Sequence, residues 1–111
     1  MRGLGCRVQL YVSTYTGPVQ ITWDPKKAEA NIRKHGIDFH EASTVFFDLL
    51  STTFPSVDHS ETEARFVTIG LSTEQRILVV AHTEDDNVIR IISARIAAPR
   101  EKRFYEEGKS D

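Results

Sequence analysis

The segment VIRIISAR, Val88 to Arg95, constrains the fold more than any other stretch of the chain. It is a run of β-branched residues interrupted by two arginines, Arg90 and Arg95. A strand this apolar belongs in the middle of a small sheet, buried by its neighbours. An arginine inside such a strand is paired, sits at a strand end, or holds an anion. The rest of the chain must therefore supply neighbours and covers for this strand.

The neighbours are legible. Ala64–Leu71 and Arg76–Thr83 read as two more strands, and the linkers Ser72–Gln75 and Glu84–Asn87 are of hairpin length. Residues 50–63 begin as an edge strand, where Pro55 confines them, and end as an acidic loop. The covers come first in the chain. Asp24-Pro25 is a helix start, with Asp as N-cap acceptor and Pro at the first helical position. That helix runs through KKAEANIRKH to Gly36, the residue expected at a left-handed C-cap. Its apolar stripe is thin: Ala28, Ala30 and Ile32. Arg33, Lys34 and His35 suit the negative end of its dipole. Asp38 with Glu41 forms a capping box for a second helix, whose core stripe reads Ala42, Val45, Phe46 and Leu49. Pro99 opens a last helix that ends by Gly108. The expected fold is α+β: two N-terminal helices packed on a small antiparallel sheet, a three-stranded meander plus an edge strand, then a C-terminal helix.

At 111 residues the chain is expected to form one domain, residues 20–111, preceded by a poorly ordered extension, residues 1–19. Ile21–Trp23 is expected as a short strand entering that domain. Cys6 is the single cysteine, so no disulfide can form within the chain, which suits a reducing cytoplasm. No signal peptide or membrane span is visible, and a cytoplasmic location is expected. The net charge of −2 makes no whole-chain case for nucleic-acid binding, but its distribution is uneven. Residues 1–36 carry +4, residues 37–63 carry −6, and the remainder balances.

The hairpin linkers hold four residues, or two if the strands pair one step further, and both choices give one register. That register sets Arg65, His82 and Ile89 in one row, and Leu71, Arg76 and Arg95 in another row of the same face. Phe66, Ala81 and Arg90 share a row on the opposite face. The polar groups then gather by end, with Arg65, His82 and Arg90 at one and Arg76 and Arg95 at the other. Arg90 and Arg95 lie about 16 Å apart along an unbroken strand, too far to grip one phosphate unless a bulge intervenes.

No metal signature appears among His35, His40, His59 and His82, and there is no phosphate-binding glycine loop or nucleophile elbow. No cofactor is expected. Arginine, histidine and carboxylate suffice for metal-free RNA cleavage, in which the substrate's own 2′-hydroxyl attacks the adjacent phosphate. Arg65, Arg90 and Arg95 are the candidates for holding phosphate charge, and His59, Glu63 and His82 for moving protons. Taken alone, a histidine such as His82 on an apolar face is more often a satisfied core residue, and an arginine such as Arg65 near Glu61 and Glu63 more often a surface ion pair than a catalytic group.

Three segments, ITWDPKKAEANIRKHGIDFHEASTVFFD, DHSETEARFVTIGLS and RIISARIAAPREKRFYEEG, together resemble the BrnT family of bacterial type II toxins over Ile21 to Gly108. The resemblance implies a RelE-like ribonuclease fold, metal-free RNA cleavage that arrests translation, and neutralisation by a small BrnA-like antitoxin. It also implies a 2:2 complex in which the antitoxin, rather than this chain, contacts DNA. The family's motif positions fall on Trp23, Lys27, Asn31, Lys34, His35, Glu63, Arg65, Arg90, Arg95 and Tyr105. Lys27, Lys34, His35 and Tyr105 are the expected RNA-binding positions. The near-neutral charge departs from the strongly basic character of many RelE-like toxins. A competing expectation is a non-catalytic corepressor module of the same fold.

Overall fold

Four strands in succession, each turning back on the last, build most of the sheet, and a helical pair crosses one of its faces. The computed structural model describes residues 8–11, 18–56 and 64–107. The elements are β1 (Val8–Tyr11), β2 (Pro18–Trp23), α1 (Pro25–His35), α2 (Phe39–Ser43), a 3-10 turn (Thr44–Phe47), β3 (Thr52–Pro55), β4 (Arg65–Leu71), β5 (Ile77–Asp85), β6 (Val88–Ile96) and α3 (Pro99–Glu107). The strand order is β1-β2-β6-β5-β4-β3.

The expected antiparallel meander with an edge strand is present as β3 to β6, but the sheet is larger and mixed. The helices carry the chain from β2 to the far edge, and the meander then returns to lie beside β2. β6 consequently pairs parallel with β2, Thr22 beside Arg90 and Trp23 beside Ile91. Of the expected extension, Val8–Tyr11 pairs antiparallel with β2 as the outermost strand. The remaining residues before Pro18 lie outside the described residues.

The register differs from the expected one, and the turns explain why. Ser72 N–H donates to Arg76 O, closing a three-residue loop in which Gln75 takes φ 67°. Arg65 therefore faces Thr83 rather than His82. A slip of one residue exchanges every side chain between faces. At the next hairpin Asp86 and Asn87, both with positive φ, form the two-residue turn that suits the strand twist. Arg90 then faces Thr83 as well. Between Ala81 and His82 the pairing shifts by one, leaving Ile92 as an extra residue in β6.

One face is covered by α1, α2 and the 3-10 turn. Val19, Ile21 and Trp23 of β2 meet Ile37, Phe39, Ala42 and Val45 there, over Leu78, Val80, Ile89, Ile91 and Ala94. Gly70 lies on this face, where an added Cβ would come within 2.9 Å of Ser51 Cβ, so the strand approaches the turn closely. The other face carries Ile69, Val79 and Ala97, with Phe54, Val67, Ile77 and Tyr105 packed around them. Among the described residues only α3 covers it, and α3 has no fully buried residue.

The ends of α1 match expectation, whereas α2 is shorter than expected and the helix faces differ. Asp24 caps α1 by accepting from Lys26 N–H, and Gly36 closes it in the left-handed conformation at φ 73°. The residue α1 buries is Asn31, while Ala30 and Ile32 are exposed. Glu41 does not complete a capping box. It points inward, where Arg76 and Ser72 hold it, and the Arg76 guanidinium keeps its carboxyl below the usual range. Leu49 is 97 % exposed because α2 ends at Ser43 and the chain turns at Asp48. Asp48 holds that turn by accepting from Leu50 N–H, Leu71 N–H and the Tyr105 hydroxyl. Among the described residues no helix is long and apolar enough to cross a membrane.

Candidate functional site

The two hairpin turns bring the arginines together. Arg65, Thr83, Arg90 and Thr22 occupy one row across β4, β5, β6 and β2. Directly opposed residues share a face, so Arg65 and Arg90 flank Thr83 on the α3 side, about 10 Å apart at their backbones. The sequence reading placed them at one end but on opposite faces. Both are half-buried, and Arg65 Nε is buried with no hydrogen-bond partner among the described residues. A buried guanidinium N–H left unmade is costly, which makes it a donor waiting for an acceptor. Thr83 beneath them is 6 % exposed.

The shift at Ile92 also moves Arg95 onto this face, opposite Val79. It stands four β5 residues from the Thr83 row, about 13 Å, so it does not reach the same anion by strand geometry. Arg95 forms a two-pronged ion pair with Glu101 of α3, both contacts 2.8 Å. The pair draws the Glu101 carboxyl down to about 2, chiefly through the Arg95 hydrogen bonds. Glu101 Oε1 also accepts from Ala98 N–H, so it serves the start of α3 that the apolar Ala98 side chain cannot cap. Tyr105, on the same face, donates to Asp48 Oδ2 at 2.6 Å. Burial and the adjacent carboxylate push its hydroxyl up to about 12.

His82 lies at the arginine end of the sheet but on the helix-covered face, wholly buried. Its ring packs edge-on to Phe46 at 5.0 Å and stacks on Phe66 at 6.1 Å. Nε2 shares a hydrogen bond with Thr68 Oγ1 at 2.7 Å, and Thr68 Oγ1 in turn with Thr53 Oγ1 at 2.6 Å. Burial pushes the ring down to about 4, so it is neutral near pH 7. The Glu84 carboxylate at 3.7 Å from Nδ1 is then neither an ion pair nor a hydrogen bond. Lys27, Lys34 and His35 belong to α1, across the sheet from the arginines. His59 and Glu63 lie outside the described residues.

Sequence reasoning passed over Thr22, Thr83, Ser93 and Asp85, which share the arginine face. Asp85, exposed and opposite Val88, stands one row beyond Thr83. The Asp86-Asn87 dipeptide is the signal that could have located them, because a turn centred there, one residue beyond the centre of the expected linker, puts Thr83 against Arg90. Among the described residues no three His, Cys, Asp or Glu side chains are grouped to hold a metal ion. Two cations on an open sheet face, with hydroxyls between and beside them, suit one chemical task well: neutralising and orienting a phosphodiester.

Comparison with known proteins agrees with that chemistry. Residues 23–101 match a family described as the ribonuclease toxin BrnT of type II toxin–antitoxin systems. A crystal structure of the Brucella abortus ribonuclease toxin BrnT superimposes with a TM-score of 0.55 at 28 % identity, covering 70 % of this chain and 95 % of that one. No curated protein sequence matches. The matched residues span β6 and its arginines, α1 and the hairpins that form the Arg65–Thr83–Arg90 row, and the chain belongs to the BrnT family of type II ribonuclease toxins.

Proposed function

We propose that this chain is a metal-independent endoribonuclease of RelE-like arrangement, which cleaves RNA to stop translation in the cytoplasm. The observation that supports it best is the shared row of Arg65 and Arg90 around Thr83, with Arg65 Nε buried and unpartnered among the described residues. In the proposed reaction the 2′-oxygen attacks phosphorus and the bond to the 5′-oxygen breaks. The products are a 2′,3′-cyclic phosphate and a free 5′-hydroxyl. Arg65 and Arg90 hold the charge that builds on the non-bridging oxygens. One proton leaves the 2′-hydroxyl and another reaches the 5′-oxygen. His59 and Glu63, just before Arg65 in the chain, and Asp85 on the arginine face are the proposed carriers. His82 is proposed as a core residue, and Arg95 as the anchor of α3 through Glu101 rather than a third phosphate ligand.

The partner is a BrnA-like antitoxin, proposed to assemble as a 2:2 complex and to contact operator DNA on the toxin's behalf. The test is RNA cleavage by the purified chain in the presence of EDTA. Cleavage should persist, and Arg65→Ala and Arg90→Ala should each lower kcat by about 100-fold or more. Loss of activity in EDTA removes the metal-free mechanism. Arginine variants as active as the parent remove the site, and an inactive parent favours the corepressor module.

A further inference from the structure

Strand β6 changes its sense of alternation halfway along, and the change bears on the arginine site. Val88 to Ile91 pair with Asp85 to His82, and Ser93 to Ile96 pair with Ala81 to Leu78. Ile92 has no partner of its own. In an unbroken strand Arg90 and Ser93, three residues apart, point to opposite faces. With the bulge both lie on the open face. Ser93 opposes Ala81 in the row next to Thr83, and Ala94 turns into the helix-side core, where it is 1 % exposed. Bulges bend a strand and re-aim a side chain, and they gather beside active sites.

This bulge is held in place. The pairing with β2 ends at Ile91, so beyond it the outer backbone groups of β6 have no strand neighbour among the described residues. Asn31 of α1 takes that role. Its side-chain amide donates to Ala94 O at 2.8 Å and to Ile37 O at 3.0 Å, and its oxygen accepts from Ala94 N–H at 3.1 Å. A buried side chain thus fixes the residue directly after Ser93.

We propose that Ser93 and Thr83 are substrate-binding hydroxyls, which donate to the non-bridging oxygens of the phosphodiester held by Arg65 and Arg90. The bulge at Ile92 is the device that delivers Ser93 to that point. This rests on the ribonuclease reading above. Ser93 is half-exposed, and its neighbour Ala81 is too small to cover it. Thr83 stands between the two arginines in their shared row. The class of ligand is a phosphodiester rather than a carboxylate: each has two charged oxygens, but tetrahedral phosphorus adds ester oxygens and builds further charge in the transition state, which two forks and two hydroxyls suit better than a planar carboxylate.

The test compares Ser93→Ala and Thr83→Val with the parent chain, using a short oligoribonucleotide for kcat/KM and its 2′-deoxy analogue for binding. Each hydroxyl deletion should lower kcat/KM by about tenfold or more. Analogue binding should weaken, and the thermal midpoint should stay within a few degrees. Ser93→Thr and Thr83→Ser, which keep the hydroxyl, should retain most activity. If Thr83→Val loses stability, Ser93→Ala with its threonine rescue decides. Hydroxyl deletions that cleave within twofold of the parent, while Arg65→Ala is inactive, overturn this inference and leave the ribonuclease reading standing. A parent chain that cleaves nothing overturns both.

Discussion

Burying the His82 ring between Phe46 and Phe66 gives it a stability role that depends on pH. In the folded protein the group titrates at about 4, against an ordinary value of 6.5. Between those values the unfolded chain binds more protons than the folded one, so stability rises with pH across the window. The contribution is complete above about 6.5 and is lost as pH falls toward 4. At 1.36 kcal/mol per unit, it is about 3 kcal/mol. The Glu84 carboxylate is the charged group that faces Nδ1, at 3.7 Å. Urea unfolding at pH 7, 5.5 and 4 should show the decline, and His82→Gln should flatten it. An unchanged pH dependence in that variant would remove His82 as the cause.

At the scale of elements, α1 matters less as a cover than as a substitute strand. Its thin apolar stripe left the helix with little reason to sit where it does, and Asn31 supplies the reason. Asn31→Leu keeps the volume and strands three buried backbone groups, Ala94 N–H, Ala94 O and Ile37 O. The expected cost is about 2–4 kcal/mol. Chemical denaturation should read this directly, and a loss under 1 kcal/mol would mean that water reaches those groups. The same reasoning separates α3 from α1. α3 is held mainly by polar latches, Arg95–Glu101 and Tyr105–Asp48, together with the Phe54–Phe104 edge contact.

Among the described residues of the whole molecule, basic side chains stand on both sides of the sheet. Arg65 and Arg90 lie on the open side, whereas Lys27 and Lys34 stand exposed on α1 behind the sheet. A bound RNA strand on the arginine face would feel those lysines only through solvent, beyond about one Debye length at physiological salt. The double variant Lys27→Ala with Lys34→Ala should therefore change KM less than about threefold at 0.15 M salt. A larger change would show that RNA wraps onto the helical side. The apolar surface is also uneven, with Phe47, Leu49 and Leu50 exposed together around the Asp48 turn.

Local chemistry determined the parts that depend on a few adjacent residues. Asp24-Pro25 and Gly36 set the ends of α1, three apolar runs set the meander, and the family motifs marked a ribonuclease toxin. What the sequence could not settle was pairing. A hairpin register turns on one residue of loop length, and the Gln75 and Asn87 backbone conformations decided it. That single step moved His82 into the core, while the second turn set Arg90 against Thr83 on Arg65's face. The bulge at Ile92 is likewise invisible in a run of isoleucines. Beside it Asn31, 63 residues earlier in the chain, grips Ala94 past the end of the pairing with β2. Interactions so distant in sequence leave no periodic trace, and only the assembled sheet shows which side of it the arginines share.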